Sequence, residues 1–393
     1  MESDREFAER ACETCGQASN AKSRPIGSKR FDIFSASEFT GFLREETFYI
    51  KTAPPPTKIA RAMSAILKLP RKVRALSARG KTPTLPKLRI SVVQYLNTAP
   101  LVWSFTNGPL RGKYELSFTV PSLCAEALRT GAVDVAIIPA IEYQRIDDLV
   151  ILPDMAIASK TRVRSLLLVS RMPIEKIRKI ALDSGSRSTQ ALVKILCHQK
   201  WKIAPEFFEM APDLAAMLQR AEAALVIGDP ALRLSLAMES GTRRGEAGEQ
   251  ICAASALGIE AAGIDGDSTL HIYDVVEQWR RMTTLPAVLA AWAARRKTVT
   301  PEVIADFQSS RDFGLRHLPE ISTQAAAELG LPANKLQRYL TENINFNLDE
   351  ENLRGLTAYF KQAADLNLIP QAKPIEIAAA RPERLRDAYA TPR

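Results

Sequence analysis

Three segments of the chain run from an apolar stretch into small polar residues. Leu88–Leu101 alternates like a strand and then turns at Asn97 and Thr98, with Pro100 placed to begin a helix. Lys179–Leu192 and Ala223–Leu232 repeat this arrangement. Because ligands of α/β proteins bind beyond the carboxyl ends of strands, the three strand ends predict a ligand cleft.

The order of apolar runs and turn signals predicts strands alternating with helices from Leu88 onward, hence parallel sheets with helical crossovers. The expected strands are Leu88–Val93, Glu115–Val120, Val133–Ile138, Val163–Ser170, Lys179–Leu182, Glu206–Met210, Ala223–Ile227 and Leu285–Trp292, the last crossing between lobes. The expected helices include those at Pro121–Gly131, Ser188–Lys200, Asp213–Arg220 and Val275–Thr283, then helices beginning near Pro301, Pro332 and Asp349.

Length and composition indicate a globular α/β protein of two lobes. The chain has 393 residues, of which 46% are hydrophobic and 25% are charged, enough to bury a sizeable core. Cys12, Cys15, Cys124, Cys197 and Cys252 form an odd set without the spacing of a disulfide framework, which indicates a reducing compartment. Cys12 and Cys15 alone are weak evidence for zinc. No apolar run is long enough for a membrane span, and we expect a cytoplasmic protein.

The net charge of +9 is concentrated at the amino-terminal end. Residues 1–86 hold 16 basic and 9 acidic residues, so the remaining chain carries only +2. Lys51–Pro86 combines nine basic residues with several prolines and no Phe, Tyr or Trp, whereas single-stranded nucleic-acid sites need aromatic stacking residues. We therefore predict a basic, disordered extension over 1–86 and no nucleic-acid partner.

No motif for a cofactor or metal is present in the sequence. A glycine-rich phosphate loop is missing, and His198, His271 and His317 all lie away from the polar strand ends. We expect neither a cofactor nor a metal. Ser186, Arg187, Ser188 and Thr189 instead stand where a strand ends and a helix begins, and the N–H groups and dipole of that helix would attract a carboxylate.

The sequence resembles the chorismate dehydratases of the futalosine route to menaquinone. The resemblance rests on motifs in a fixed order over about 88–369: YLNT-x-PL at Tyr95–Leu101, the run from Gly131 to Glu142 and Tyr143, Ser165, Ser186–Thr189, Ile227–Leu232, and Trp279 with Leu285 and Pro286. It implies a two-lobed α/β fold of the type II periplasmic-binding-protein kind, with a ligand cleft between the lobes. Lobe I would hold 87–168 and 284–369, lobe II would hold 169–283, and 370–393 would be a tail.

The implied reaction is loss of water from chorismate, giving 3-[(1-carboxyvinyl)oxy]benzoate without a cofactor. The resemblance implies Asn97 as the catalytic residue, orienting the reacting carbon and hydroxyl, while the substrate's own enolpyruvyl carboxylate acts as base. It implies substrate binding by Ser165, Ser186, Arg187, Ser188, Thr189, Gly228 and Asp229.

Each of these residues also has a structural interpretation. Asn97 could be a turn residue in the left-handed conformation, Ser186 or Ser188 could cap a helix, and Arg187 could be a surface charge. Asp229 could cap the helix that starts at Pro230, because a carboxylate is unfavourable beside a dianion. Glu142 and Tyr143 could support the cleft wall or the hinge.

One departure from the family is an insertion at 241–268, rich in Gly and Ala, which we expect to be an exposed excursion of lobe II. Two other functions remain open. One is the related pathway enzyme that acts on cyclic dehypoxanthine futalosine, whose first motif lacks the YLNT pattern. The other is a non-catalytic solute-binding protein for a small carboxylate.

Overall fold

The computed structural model describes residues 87–238, 242–258 and 264–379. The predictions made for the extension at 1–86, for Cys12 and Cys15, and for the last residues of the tail lie outside this part of the chain. Within it, no helix is long and apolar enough to cross a membrane.

The described chain alternates strands and helices. The strands are β1 (Arg89–Val93), β2 (Glu115–Thr119), β3 (Val135–Pro139), β4 (Leu149–Ser159), β5 (Leu166–Ser170), β6 (Lys179–Asp183), β7 (Glu206–Met210), β8 (Ala223–Ile227), β9 (Arg243–Arg244), β10 (Gln250–Ala253), β11 (Thr269–Asp274) and β12 (Ala287–Arg295). The helices are α1 (Ala99–Asn107), α2 (Pro121–Arg129), α3 (Ala140–Arg145), α4 (Ser188–Leu196), α5 (Leu214–Arg220), α6 (Gly228–Ala237), α7 (Val275–Thr283), α8 (Pro301–Arg316), α9 (Leu318–Leu329), α10 (Ala333–Arg338) and α11 (Glu350–Asp365).

The strands form two sheets, one for each lobe. The first has the order β2-β1-β3-β12-β4, and the second has the order β7-β6-β8-β5-β11-β10-β9. In each sheet three parallel strands are followed by antiparallel ones. Strand β3 is buried along its whole length, as its unbroken apolar sequence predicts for a strand covered on both faces.

Two segments connect the lobes. Asp274 holds the first of them, which joins β4 to β5, by hydrogen bonds to its backbone. Its carboxylate accepts hydrogen bonds from the backbone N–H groups of Val163, at 3.0 Å, and Arg164, at 2.6 Å, and also caps α7. Burial raises the pKa of Asp274, while these N–H donors oppose the rise. Because β5 belongs to the second sheet, lobe II begins at Leu166, slightly before the start at residue 169 that was expected from the sequence.

Four strands of the described chain were not predicted from the sequence: β4, β9, β10 and β11. Strand β4 was not predicted, because Pro153 and Asp154 interrupt its apolar run ILPDMAI. In the structure Asp154 adopts a positive φ within this strand. Strands β9 and β10 lie in the insertion at 241–268, which is therefore not simply an exposed excursion: β10 extends the second sheet, and Ile251 and Cys252 are buried in it.

Residues 370–379, assigned from the sequence to a tail, lie against the first sheet. Ile377 forms a β-bridge with Ile151 of β4, and the N–H of Ala378 donates a hydrogen bond to the carbonyl of Ile151. The Tyr143 hydroxyl donates to the carbonyl of Pro374 and accepts from the N–H of Glu376. These contacts hold the segment on the surface of lobe I.

Candidate functional site

A cleft of about 480 Å³, including its solvent-open part, lies between the two lobes. Lobe I contributes residues from the ends of β1 and β3 and from β4 and β12, and lobe II contributes the ends of β6 and β8. Its walls are mostly apolar. The polar side chains that line it are those of Tyr95, Asn97, Ser186, Arg187, Ser188 and Thr189.

On the lobe I side the polar turn after β1 presents Asn97 to the cleft. Leu96–Thr98 forms a single 3-10 turn that runs into α1, and Pro100 stands in the first turn of that helix, where a missing N–H costs nothing. Asn97 is only 9% exposed. It does not adopt a positive φ, so its interpretation as a left-handed turn residue is wrong.

Next to Ser165 lies a buried tyrosine that the sequence analysis missed. Tyr339, in a π-helical turn after α10, donates its hydroxyl to Ser165 Oγ at 2.9 Å. The only hydrogen bond to the Asn97 side chain in the described chain comes from the Thr98 hydroxyl, at 3.4 Å. Burial raises the Tyr339 pKa, so the hydroxyl stays protonated. Ser165 lies behind the cleft wall and does not line it.

Across the cleft, the start of α4 presents its backbone. The residue preceding the helix is Arg187, and no side chain caps the helix, so the capping interpretation of Ser186 and Ser188 is wrong. Ser188 Oγ instead accepts a hydrogen bond from the N–H of Ile141 in lobe I at 3.1 Å. The first N–H groups of an uncapped helix lack partners within the helix and attract an anion.

Arg187 links the cleft to a buried charge cluster. Glu142, fully buried on α3, forms ion pairs with Arg129, with Arg145 at 2.9 Å and with Arg187 at 3.6 Å. One carboxylate therefore faces three guanidinium groups, and the cluster carries a surplus of positive charge. Arg187 lines the cleft and also forms a contact between the lobes, and its predicted role in substrate binding stays a prediction.

Gly228 allows the two lobes to approach closely at Tyr95. It has a φ of +68°, and a Cβ there would lie 2.6 Å from atoms of the Tyr95 ring. Its N–H donates to the carbonyl of Ser165 at 2.8 Å. Glycine fits because both the backbone conformation and the close ring exclude a side chain.

Asp229 binds the turn that carries Asn97. Its Oδ1 accepts a hydrogen bond from the N–H of Leu96 at 3.1 Å, and it does not cap α6, so the capping interpretation is wrong. Burial raises its pKa to about 6, against the opposing effect of the Leu96 N–H. Asp229 lines a neighbouring cavity beside Trp103 and Glu328 and does not line the cleft.

The expected site residues thus fall into two groups. Those at the cleft surface are Asn97, Ser186, Arg187, Ser188, Thr189 and Gly228, whereas Ser165 and Asp229 lie behind it. No sequence signal marks Tyr339, which occupies an apolar position of an ordinary helical pattern in LQRYL. Across the described ranges, no three His, Cys, Asp or Glu side chains are grouped to hold a metal ion.

Comparison with known proteins shows the family to which the chain belongs. The sequence profile described as menaquinone biosynthesis matches residues 88–365. The chain belongs to the menaquinone biosynthesis family. This confirms the family indicated by the motifs. A chorismate dehydratase of Thermus thermophilus is 27% identical over 296 residues, which cover 72% of this chain and 98% of that protein.

A solved structure shows the same fold. Protein AF1704 of Archaeoglobus fulgidus superposes with a TM-score of 0.54 at 18% identity, covering 72% of this chain and 98% of that one. The order of the strands in two sheets, with a cleft between them, confirms the predicted two-lobed α/β fold. The periplasmic aliphatic sulphonate binding protein SsuA of Escherichia coli gives a TM-score of 0.47 at 17% identity, over 77% and 99% of the two chains.

Proposed function

We propose that this protein is a chorismate dehydratase acting in menaquinone biosynthesis by the futalosine route. The observation that carries the proposal is the pairing of Asn97 on one wall of the cleft with Arg187 and the uncapped start of α4 on the other. One wall offers an amide for hydrogen bonds, and the other attracts negative charge. A small dianion such as chorismate needs both.

The proposed reaction removes a proton from the ring carbon that bears the enolpyruvyl ether and the hydroxyl from the neighbouring carbon, which leave together as water. The product is 3-[(1-carboxyvinyl)oxy]benzoate, and the gain of aromaticity favours the elimination. The enolpyruvyl carboxylate of the substrate takes the proton and passes it to the departing hydroxyl, which leaves as water and regenerates the carboxylate, so the protein needs no base of its own. We propose no metal and no organic cofactor.

In this scheme the protein positions the substrate. Asn97 orients the reacting carbon and hydroxyl, and Ser186, Ser188 and Thr189 let a carboxylate approach the backbone N–H groups of α4. Arg187 supplies positive charge at the same wall. Ser165 and Asp229, behind the surface, support the residues that contact the substrate. The proposal includes a cytoplasmic location, in keeping with the free, buried thiols of Cys124, Cys197 and Cys252.

The test is to incubate the purified protein with chorismate and follow the loss of its near-ultraviolet absorbance, with mass spectrometry of the product. We expect a product one water lighter than chorismate. Binding of chorismate without turnover would identify a solute-binding protein instead. Turnover of cyclic dehypoxanthine futalosine, with chorismate unchanged, would identify the related pathway enzyme.

A further inference from the structure

We propose that Asp183 is a positioning residue, which holds the turn between β6 and α4 so that the start of α4 faces the cleft. This inference rests on the proposed dehydration for its kinetic consequences, because it takes chorismate as the ligand of that wall. Its structural content, the hydrogen bond between Asp183 and Gly185, stands apart from the reaction.

Asp183 closes this turn with both its side chain and its backbone. It is the last residue of β6 and is only 1% exposed. Its Oδ1 accepts the N–H of Gly185 at 2.8 Å, and its carbonyl accepts the N–H of Ser186 at 3.1 Å. An aspartate that accepts the N–H two residues ahead forms an Asx turn, which bends the chain locally. The path from the strand to the helix therefore depends on Asp183.

The same residue also contacts α4. The carbonyl of Asp183 accepts a hydrogen bond from the side-chain amide of Gln190, in the first turn of the helix, at 3.0 Å. No side chain caps α4, so the direction of its first N–H groups follows the turn that leads into it. Ser186 and Arg187, which line the cleft, lie between Asp183 and the helix. A shift of the turn would move them together with the helix start.

Gly185 allows this contact and joins the turn to lobe I. A Cβ at Gly185 would lie 3.1 Å from Asp183 Oδ1, so the absence of a side chain lets the carboxyl group reach the backbone. The carbonyl of Gly185 accepts the N–H of Ser122, in the first turn of α2, at 3.2 Å. The turn is therefore fixed relative to lobe I as well as lobe II.

The second oxygen of Asp183 takes no part in this arrangement. Oδ2 is buried and has no hydrogen-bond partner among the described residues. Burial raises the pKa of Asp183, and the N–H of Gly185 opposes this rise. A buried carboxyl group with an unused oxygen is costly for folding, and such groups concentrate at functional sites. Because only one oxygen is used, a neutral residue with one acceptor should replace Asp183.

The first test compares Asp183→Ala, which removes the acceptor, with Asp183→Asn, which keeps an acceptor oxygen. We expect Asp183→Ala to raise KM and the dissociation constant of chorismate about tenfold with kcat changed less than about threefold, since the turn serves binding. Asp183→Asn should stay within about twofold of the wild type in both constants. Equal KM in wild type and Asp183→Ala would overturn the proposal, as would an Asp183→Asn variant as impaired as Asp183→Ala.

Asp213→Ala is the matched control for a general loss of stability. Asp213 also belongs to lobe II and accepts one backbone N–H, that of Ala216 at 3.0 Å, but at the exposed start of α5. It should keep the wild-type KM. An equal rise of KM in Asp213→Ala and Asp183→Ala would contradict a specific role of the turn.

Gly185→Ala tests the same contact with the carboxyl group left in place, and it serves where Asp183→Ala does not fold. The added methyl group would press on Asp183 Oδ1 and displace it from the backbone. KM should rise in this variant as well, with little change in kcat. An unchanged KM would count against the proposal.

A measurement without substrate separates this inference from the proposed function. In protein labelled with ¹⁵N at glycine, Gly185→Ala identifies the amide signal of Gly185. We expect Asp183→Ala to shift that signal and to speed the exchange of its proton with solvent, whereas Asp183→Asn and Asp213→Ala should keep the slow exchange of the wild type. Unchanged shift and exchange in Asp183→Ala would refute the positioning role even if the enzyme is active. Faster exchange in a protein whose wild type does not turn over chorismate would refute only the proposed function.

Discussion

The two walls of the cleft are built in different ways. On the lobe I wall a side chain, Asn97, faces the ligand space from a single turn that is held by Asp229, a residue far away in sequence. On the lobe II wall the start of α4 offers backbone N–H groups, and the local segment Ser186–Thr189 supplies almost everything. The first wall therefore depends on tertiary structure, and the second on local sequence.

The walls also differ in charge. Arg187 and the end of the α4 dipole make the lobe II wall attractive to carboxylates, while Asn97 contributes no charge to the lobe I wall. For the proposed dianionic substrate, we therefore propose an orientation with a carboxylate toward lobe II and the reacting carbon toward Asn97. Substitutions on the two walls should accordingly affect different kinetic constants.

The largest effect is expected at Asn97. Asn97→Ala should lower kcat about 10²-fold or more, the effect of losing one preorganised donor, while chorismate still binds through the lobe II wall. Steady-state kinetics and calorimetric titration measure the two effects separately. Asn97→Asp keeps the shape but puts a carboxylate beside a dianion, so it should impair both binding and rate.

Thermal unfolding provides the control for Asn97. If Asn97→Ala unfolded early and its folded fraction kept the specific activity of the wild type, Asn97 would have only a structural role. The difference between the two walls would then disappear, because neither would act on the reacting atoms.

A smaller effect, on substrate affinity and not on kcat, is expected at Arg187. Arg187→Ala should raise KM and the dissociation constant of chorismate about tenfold with little change in kcat, because a charge-assisted contact contributes to binding before and during the reaction. Arg145→Ala is the matched control: it also removes a partner of Glu142, at 2.9 Å, but away from the cleft. It should leave the affinity for chorismate unchanged.

Calorimetric titration of the two variants decides the role of Arg187. If Arg187→Ala and Arg145→Ala weakened binding equally, the common cause would be the disturbed Glu142 cluster. Arg187 would then act only as a link between the lobes.

The sequence predicted the lobe II wall better than the lobe I wall for physical reasons. The strand end and helix start around Ser186–Thr189 follow from local patterns, and the structure has them close to the expected bounds. The contacts of Leu96 with Asp229 and of Ser165 with Tyr339 join residues more than a hundred positions apart, which no local pattern encodes. For the same reason Asp229 was interpreted as a helix cap, its usual role in such a position.

The smallest effect is expected at Asp229, whose protonation makes the stability of the fold depend on pH. Asp229 belongs to lobe II and accepts a hydrogen bond from the Leu96 turn of lobe I. Its folded pKa of about 6 lies above the ordinary value of 3.8, so the folded state binds the proton more tightly than the unfolded state. The buried carboxylate therefore opposes folding above pH 6, and this cost is relieved as the pH falls through 6 toward 4. Asp229→Asn removes the titration but retains an oxygen that can accept the Leu96 N–H.

We therefore expect Asp229→Asn to gain melting temperature relative to the wild type at pH 7.5 and to have a smaller advantage at pH 5, with a difference of a few degrees at most. Scanning calorimetry of both proteins at the two pH values measures it. Asp213→Asn is a suitable control, because Asp213 also accepts a backbone N–H, at 3.0 Å, but at the exposed start of α5. A constant difference between Asp229→Asn and wild type would mean that solvent reaches this carboxylate freely, and that the contact between Asp229 and the Asn97 turn is looser than its geometry indicates.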